Sequence, residues 1–231
     1  MKSSKPLAIL MSAAIALALL TGAIAVPILC RPFYYAHIGP LHLAERTGYT
    51  QEEIKTAFDE MLDYCLGKEE FSTGTLKWSE SGKSHFTDVR FLFKLDLQIL
   101  ACSLGVLAAA VFLSSRGRQR PARLLGRGPA FWAGAGLGAV FLVVGALAAL
   151  DFNRAFVVFH SLFFPGKTNW LFDPAQDQII NILPQEFFRN CAVLILVLLV
   201  AGCTALILFD LTREKGRKEP HSKLQNFRTN V

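Results

Sequence analysis

The sequence predicts an all-α integral membrane protein: four transmembrane helices and a small, mainly helical extracytoplasmic cap. Three observations predict it. Of 231 residues, 52% are apolar and only 18% are charged, with a mean hydropathy of +0.38; a soluble domain is nearer one quarter charged. Four stretches, 6–29, 97–115, 128–150 and 190–209, carry no charge. Each is long enough, at 1.5 Å per residue, to cross about 30 Å of hydrocarbon. The basic residues gather in alternate connecting segments, as the two faces of a membrane require. A compact soluble enzyme is therefore not expected, and the apolar content excludes disorder of the whole chain.

The elements follow in order. Residues 1–29 form a basic tip, with Lys2 and Lys5, and the first span. The Ala23-Ile24-Ala25 stretch resembles a signal-peptidase site, but the apolar run continues to Leu29, beyond the usual h-region of about 7–15 residues. An uncleaved anchor is expected, and removal of residues 1–25 stays open. Residues 30–96 form the cap segment. In it Thr50 and Glu53 make a capping box, and Ile54, Ala57, Phe58, Met61, Leu62 and Cys65 recur at helical spacing until Gly67. A shorter helix is expected over 40–46, and a hairpin or loop over 71–83. Nothing breaks the chain from His85 into the second span, 97–115, so that helix should begin near His85. A basic link, 116–127, leads to the third span, 128–150. There Gly134, Gly136 and Gly138 suggest close helix packing. Residues 151–189 form an aromatic loop, with a helix expected to start at Asp173-Pro174 and Pro184 restarting the chain into the fourth span, 190–209. Asp151 and Arg154 are read as an ion pair at a helix end. The tail, 210–231, is basic, contains His221 and is expected to be disordered.

Charge orders these pieces. The tip, the link and the tail carry +2, +5 and +3, whereas 30–96 and 151–189 carry −3 and −1; together they make the net +6. The positive-inside rule puts both termini in the cytoplasm and the two acidic segments outside. The high pI then reflects membrane topology and calls for no nucleic acid. Of five cysteines, Cys102, Cys191 and Cys203 lie in spans as small packers. Cys30 and Cys65 face outward, where a disulfide is allowed but not required. No CxxC, HExxH, Walker or Rossmann pattern is present.

The second outer segment holds nine Phe and Trp residues between 152 and 188. Such a segment belongs in the outer interface, as an apolar roof suited to acyl chains. Two histidines lie beneath it. If the second and third spans both continue as helices, His85 and His160 stand about 15–18 Å beyond the uncharged runs, at matching heights. Asp88, at i+3 from His85, is placed to orient its imidazole. Arg90, Arg154, Asn169, Asp177 and Glu186 are polar neighbours.

Two blocks of residues also resemble a known family. His85-Phe86-Thr87-Asp88-Val89-Arg90 is similar to its His-x-x-Asp-Val-basic motif. Phe159-His160-Ser161-Leu162-Phe163-Phe164, followed by Trp170, Asp173-Pro174, Asp177 and Leu183-Pro184-Gln185-Glu186-Phe187-Phe188, is similar to its second block. These resemble the lipoprotein intramolecular transacylases, small membrane proteins of Gram-positive bacteria. Phe86 and Arg90 depart from the Met and Lys of the first block. The resemblance implies transfer of the sn-2 acyl chain of a diacylglyceryl lipoprotein to the α-amine of its own N-terminal cysteine, giving a lyso-form lipoprotein. It implies diacylglyceryl lipoproteins and membrane lipids as partners, no cofactor, no metal and a monomer.

A neutral histidine suits removal of the amine proton, and an imidazolium suits its return to the leaving oxygen. His85 and His160 are thus the expected base and acid, in either order. Arg90, Asn169 and Arg154 are candidate oxyanion donors, and Asp88, Trp170, Asp177 and Glu186 supporting or substrate-binding groups. The substrate amine attacks directly, so no GxSxG serine is needed. Other readings are a non-catalytic lipid or lipoprotein scaffold, a transporter and a metal-dependent hydrolase. The spans hold no midplane ionisable group for a transporter, and no ligand-spaced cluster supports the hydrolase.

Overall fold

The structure is a computed structural model that describes residues 2–117 and 119–228, with side chains described over 3–117 and 119–213. It is mostly helical. The order is β1 (Lys2–Ser4), α1 (Lys5–Leu29), α2 (Arg31–Ile38), α3 (Leu43–Thr47), α4 (Gln51–Leu66), α5 (Glu80–Ser115), β2 (Gln119–Pro121), α6 (Pro129–Leu150), α7 (Phe152–Phe163), a 3-10 turn (Gln178–Asn181) and α8 (Gln185–Arg228). Among the described residues, four helices are long and apolar enough to cross a membrane: Lys5–Leu29, Glu80–Ser115, Pro129–Leu150 and Gln185–Arg213. They contain the four uncharged runs, except that the third helix begins one residue later, at Pro129. The tail expected to be disordered continues α8 as helix to Arg228, and the His221 side chain lies outside those described.

The chain divides into two compact units. The first comprises Met1–Leu20, Leu100–Val144 and Val197–Val231. It departs from all-α in one detail: β1 and β2 pair in parallel, Ser3 opposite Arg120. Asp210 is buried here. Its carboxylate accepts from the Arg123 guanidinium (3.0 Å) and from the Gly128 N–H (3.1 Å), so it fixes the basic link at the start of α6. Gly134 and Gly138 let α6 approach α8 at Cys203: a Cβ on Gly134 would stand 2.7 Å from the Cys203 carbonyl oxygen. Gly136 has nothing within 4 Å of such a Cβ. Only two of the three glycines serve packing, because residues two apart on a helix face different ways.

The second unit comprises Thr21–Ile99 and Gly145–Leu196. Its core is built on α4, whose capping box forms as expected: Thr50 Oγ1 accepts from the Glu53 N–H, and the Glu53 carboxylate accepts from the Thr50 N–H. Ile54, Ala57, Phe58, Met61, Leu62 and Cys65 are buried. Tyr34, on a helix α2 not anticipated from the sequence, stacks on Phe58 (centroids 3.7 Å apart) and donates to the Ile182 carbonyl. Ile179, Ile182, Leu183 and Phe187 complete this core. Part of the expected aromatic roof is thus interior. The 30–96 segment is too small to bury enough apolar area unaided, and residues 179–187 supply the remainder.

Other boundaries shift for local reasons. The short helix expected over 40–46 forms as Leu43–Thr47. No hairpin forms over 71–83. Glu60 accepts from the Ser72 hydroxyl and from the Gly74 N–H (2.8 Å), holding an irregular loop. Helix α5 then starts at Glu80, because Ser79 Oγ accepts from the Gly82 N–H as an N-cap. The third span does not run on to His160. Asp151 is extended (φ −153°, ψ 93°), and its carboxylate accepts from the Arg154 backbone N–H, which caps a separate helix α7. That bond replaces the expected Asp151–Arg154 ion pair. Asp173-Pro174 opens a turn, with Asp173 accepting from the Ala175 N–H, and the 3-10 helix follows Asp177. Cys30 and Cys65 are free thiols, the first exposed and the second buried.

Candidate active site

The site lies within the second unit. His85 sits in the second turn of α5 and His160 in the last turn of α7, and both are buried. Their ring centroids are 5.8 Å apart, with the planes at 30°. The segment after α7 closes over them. Phe164 packs edge-on against His85 at 4.9 Å and Phe172 at 5.4 Å. Trp170 stacks on His160 at 4.6 Å, and Phe156 lies 4.3 Å from the same ring.

One nitrogen of His160 is assigned by its partner. Nδ1 lies 2.8 Å from the Phe156 carbonyl oxygen. A carbonyl only accepts, so Nδ1 carries the hydrogen and Nε2 is left as the lone-pair nitrogen of the neutral ring. His85 has no such tether: its Nδ1 is buried without a hydrogen-bond partner. Both residues lie outside the uncharged spans. Burial, then the neighbouring His160, lowers the His85 imidazole from 6.5 to about 4, against a smaller opposing effect of Asp88. Burial also lowers His160, opposed by its bond to Phe156. Two neutral imidazoles therefore face each other at neutral pH.

Asp88 does not hydrogen-bond to His85. It accepts from the Lys167 ammonium (2.5 Å) and from the Asn169 amide (3.1 Å). Burial works against its charge, yet those bonds hold its carboxyl below the usual carboxylate range. The Asn169 amide also donates to Ser84 Oγ at 3.3 Å. Asp88, Lys167 and Asn169 thus latch the loop after α7 onto α5, one turn from His85. Asp177 makes a second latch. It is buried and accepts from the Ser79 N–H and hydroxyl at 2.8 and 2.9 Å. Gly82 is needed there, because a Cβ would stand 2.2 Å from Asp177 Oδ1 and 3.2 Å from Phe172 Cε1.

The structure brings His85, His160, Asp88, Asn169 and Trp170 together, sets Asp177 on the adjoining latch, and leaves Arg90, Arg154 and Glu186 elsewhere. The Arg90 guanidinium donates to the Lys68 and Gly67 carbonyls and lies over the Tyr64 ring, closing the end of α4. Arg154 is exposed on the first turn of α7. Glu186 lines a different, open cavity with Arg46, Tyr49, Asn181 and Gln185. Neither arginine is placed as an oxyanion donor, and both amide hydrogens of Asn169 are already used. Sequence reasoning missed Lys167, Ser84 and Gly82. Their partners lie across a tertiary contact that no local pattern encodes. Among the described residues, no three His, Cys, Asp or Glu side chains group as metal ligands.

Over residues 9–188 the chain matches the family model described as lipoprotein intramolecular transacylase Lit. Solved structures of the membrane-integral lipoprotein intramolecular transacylase Lit from Bacillus cereus are also similar. One is 24% identical, covers 93% of this chain and 96% of its own, and superposes with a TM-score of 0.79. Two others carry a histidine-to-arginine and a histidine-to-alanine substitution. Both are 22% identical with TM-scores of 0.72, and they cover 92% and 90% of this chain and 93% and 94% of their own. At these identities the likeness shows the fold. No curated protein matches the chain. The family match covers well over half of the sequence and the four apolar helices make it a multi-pass membrane enzyme: the chain belongs to the lipoprotein intramolecular transacylase family.

Proposed function

We propose that this enzyme moves the sn-2 acyl chain of a diacylglyceryl lipoprotein onto the α-amine of the lipidated cysteine, with His85 and His160 handling the proton. The amine nitrogen attacks the ester carbonyl, the new N–C bond forms, and the bond to the sn-2 oxygen breaks. The proton lost from nitrogen ends on that oxygen, so the reaction balances without a second lipid, a cofactor or a redox partner. The observation that carries this reading is the 5.8 Å separation of two buried imidazoles. Neutral rings are ready to take the amine proton, and the imidazolium so formed is the acid for the leaving oxygen. Donor and acceptor are one molecule, so holding both ends in place supplies much of the rate.

The surroundings favour a lipid substrate. On α7, Val158 and Leu162 are 56% and 71% exposed, and Leu171 beyond it is 62% exposed. Such a surface suits the acyl region of an outer leaflet. The charge distribution favours cytoplasmic termini and extracytoplasmic segments 30–96 and 151–189. Phe164, Phe172 and Trp170 would keep water from the ester. The Lys167 ammonium, which donates to Asp88 one turn from His85, is the candidate cation for charge developing on the carbonyl oxygen.

The test is mass spectrometry of a lipoprotein N-terminus from cells with and without this protein. The total acyl count should stay constant while one chain moves from oxygen to nitrogen. An N-terminus unchanged between the two strains would refute the proposal.

A further inference from the structure

Asn169 has one half of its amide hydrogen-bonded and the other half without a hydrogen-bond partner. Its Nδ2 donates to Asp88 Oδ2 (3.1 Å) and Ser84 Oγ (3.3 Å), which uses both N–H hydrogens. The orientation is fixed chemically: an ionised carboxylate accepts and never donates, so the NH2 side must face Asp88. Lys167 in turn pins Asp88. The carbonyl oxygen therefore points the opposite way within the amide plane, and that Oδ1 is buried without a hydrogen-bond partner. A buried carbonyl left unpaired costs about as much as a lost hydrogen bond, and such a cost usually has a purpose at a site. The location supplies one. Asn169 is bonded to the residue that precedes His85, and its chain neighbour Trp170 stacks on His160. It is thus anchored to the surroundings of both histidines.

Of the groups in the proposed substrate, the ester carbonyl and ether oxygens only accept. The α-amine is the one reacting group with N–H donors. We infer that the Asn169 carbonyl accepts a hydrogen bond from the α-amine of the lipidated cysteine. It thereby selects an amine acceptor and turns the nitrogen lone pair toward the ester. This rests on the transacylase reading above and adds the residue that recognises the nucleophile. It also reassigns Asn169 from a donor for the oxyanion to an acceptor for the amine.

The experiment compares binding of two synthetic diacylglyceryl lipopeptides to the purified full-length protein in detergent, one with the α-amine and one with hydrogen in its place. The second cannot react and reports ground-state binding. Wild type should prefer the amine-bearing peptide by about tenfold, the size of one hydrogen bond from a charged donor. Asn169→Ala should lose this preference and bind both peptides alike. If Asn169→Ala does not fold, Asn169→Ser is read the same way, since it keeps a short polar side chain toward Asp88 but cannot present a carbonyl. Retained discrimination in a folded variant overturns the inference. So does an equal loss of affinity for both peptides, which would mark a purely structural role. Acyl transfer by wild type is measured in the same preparation: if it is absent, the transacylase reading fails, whereas transfer with retained discrimination in the variant sinks only the role of Asn169.

Discussion

The His85 and His160 imidazoles stand with their centroids 5.8 Å apart, and no hydrogen bond joins them. One is carried by the helix that leads into the second span, the other by a helix that starts afresh after the third. Aromatic rings fill the positions around both. The pair is therefore held by packing and by the His160 Nδ1 bond to the Phe156 carbonyl, which leaves His160 Nε2 and the buried His85 Nδ1 for a substrate.

Replacing either histidine should remove the proton-transfer contribution. General acid–base catalysis is worth about 10²–10⁴-fold, so His85→Ala and His160→Ala should each lose at least about a hundredfold in transfer rate. Lipopeptide binding should change little, as measured by turnover and equilibrium binding on the same preparations.

The pH dependence follows from the His85 burial. In the unfolded chain this imidazole titrates near 6.5, in the folded protein near 4. The unfolded state binds more protons between those values, so stability is complete above about 6.5 and is lost as pH falls toward 4. The thermal midpoint should rise with pH across that window. His85→Gln, which does not titrate, should flatten the slope.

Gly82→Ala should be destructive although glycine is a poor helix residue. Its methyl would meet Asp177 Oδ1 at 2.2 Å and the Phe172 ring at 3.2 Å. Pushing that segment off α5 should cost about 1–3 kcal/mol and displace Phe172 from His85. A lowered thermal midpoint together with reduced turnover is the expected result; a raised midpoint would contradict the close approach.

Trp170 should act through shape. Its ring stacks on His160 at 4.6 Å and 28°, and its Nε1–H is spent on the Lys167 carbonyl. Trp170→Phe should retain most of the transfer activity, whereas Trp170→Ala should lose it by raising access of water to the ester. Free fatty acid release from the lipopeptide would report that leak.

Much of this architecture was legible from short-range pattern. The uncharged runs located four helices long and apolar enough to cross a membrane, and Thr50 with Glu53 located α4, because hydropathy and capping are local properties. The meeting of His85 and His160 was also anticipated, yet by a route the chain does not take. Asp151 breaks the helix that was expected to carry His160, and α7 brings it back. The extended conformation of Asp151 is an N-cap, and the D-x-x-R spacing reads equally well as an ion pair. Asp88 was expected to face His85, as i+3 allows; Lys167 and Asn169 claim it instead. Ile179, Ile182 and Phe187 looked like roof and are core, because apolar composition does not tell a residue which apolar surface it will meet.

The most direct measurement uses purified protein in detergent with a synthetic diacylglyceryl lipopeptide. Because the product has the same mass as the substrate, tandem fragmentation must locate the acyl chain. Wild type should convert O-linked to N-linked acyl with no added lipid, and the His85→Ala, His160→Ala double variant should leave the chain on oxygen. Transfer that proceeds undiminished in the folded double variant would contradict histidine catalysis at this site.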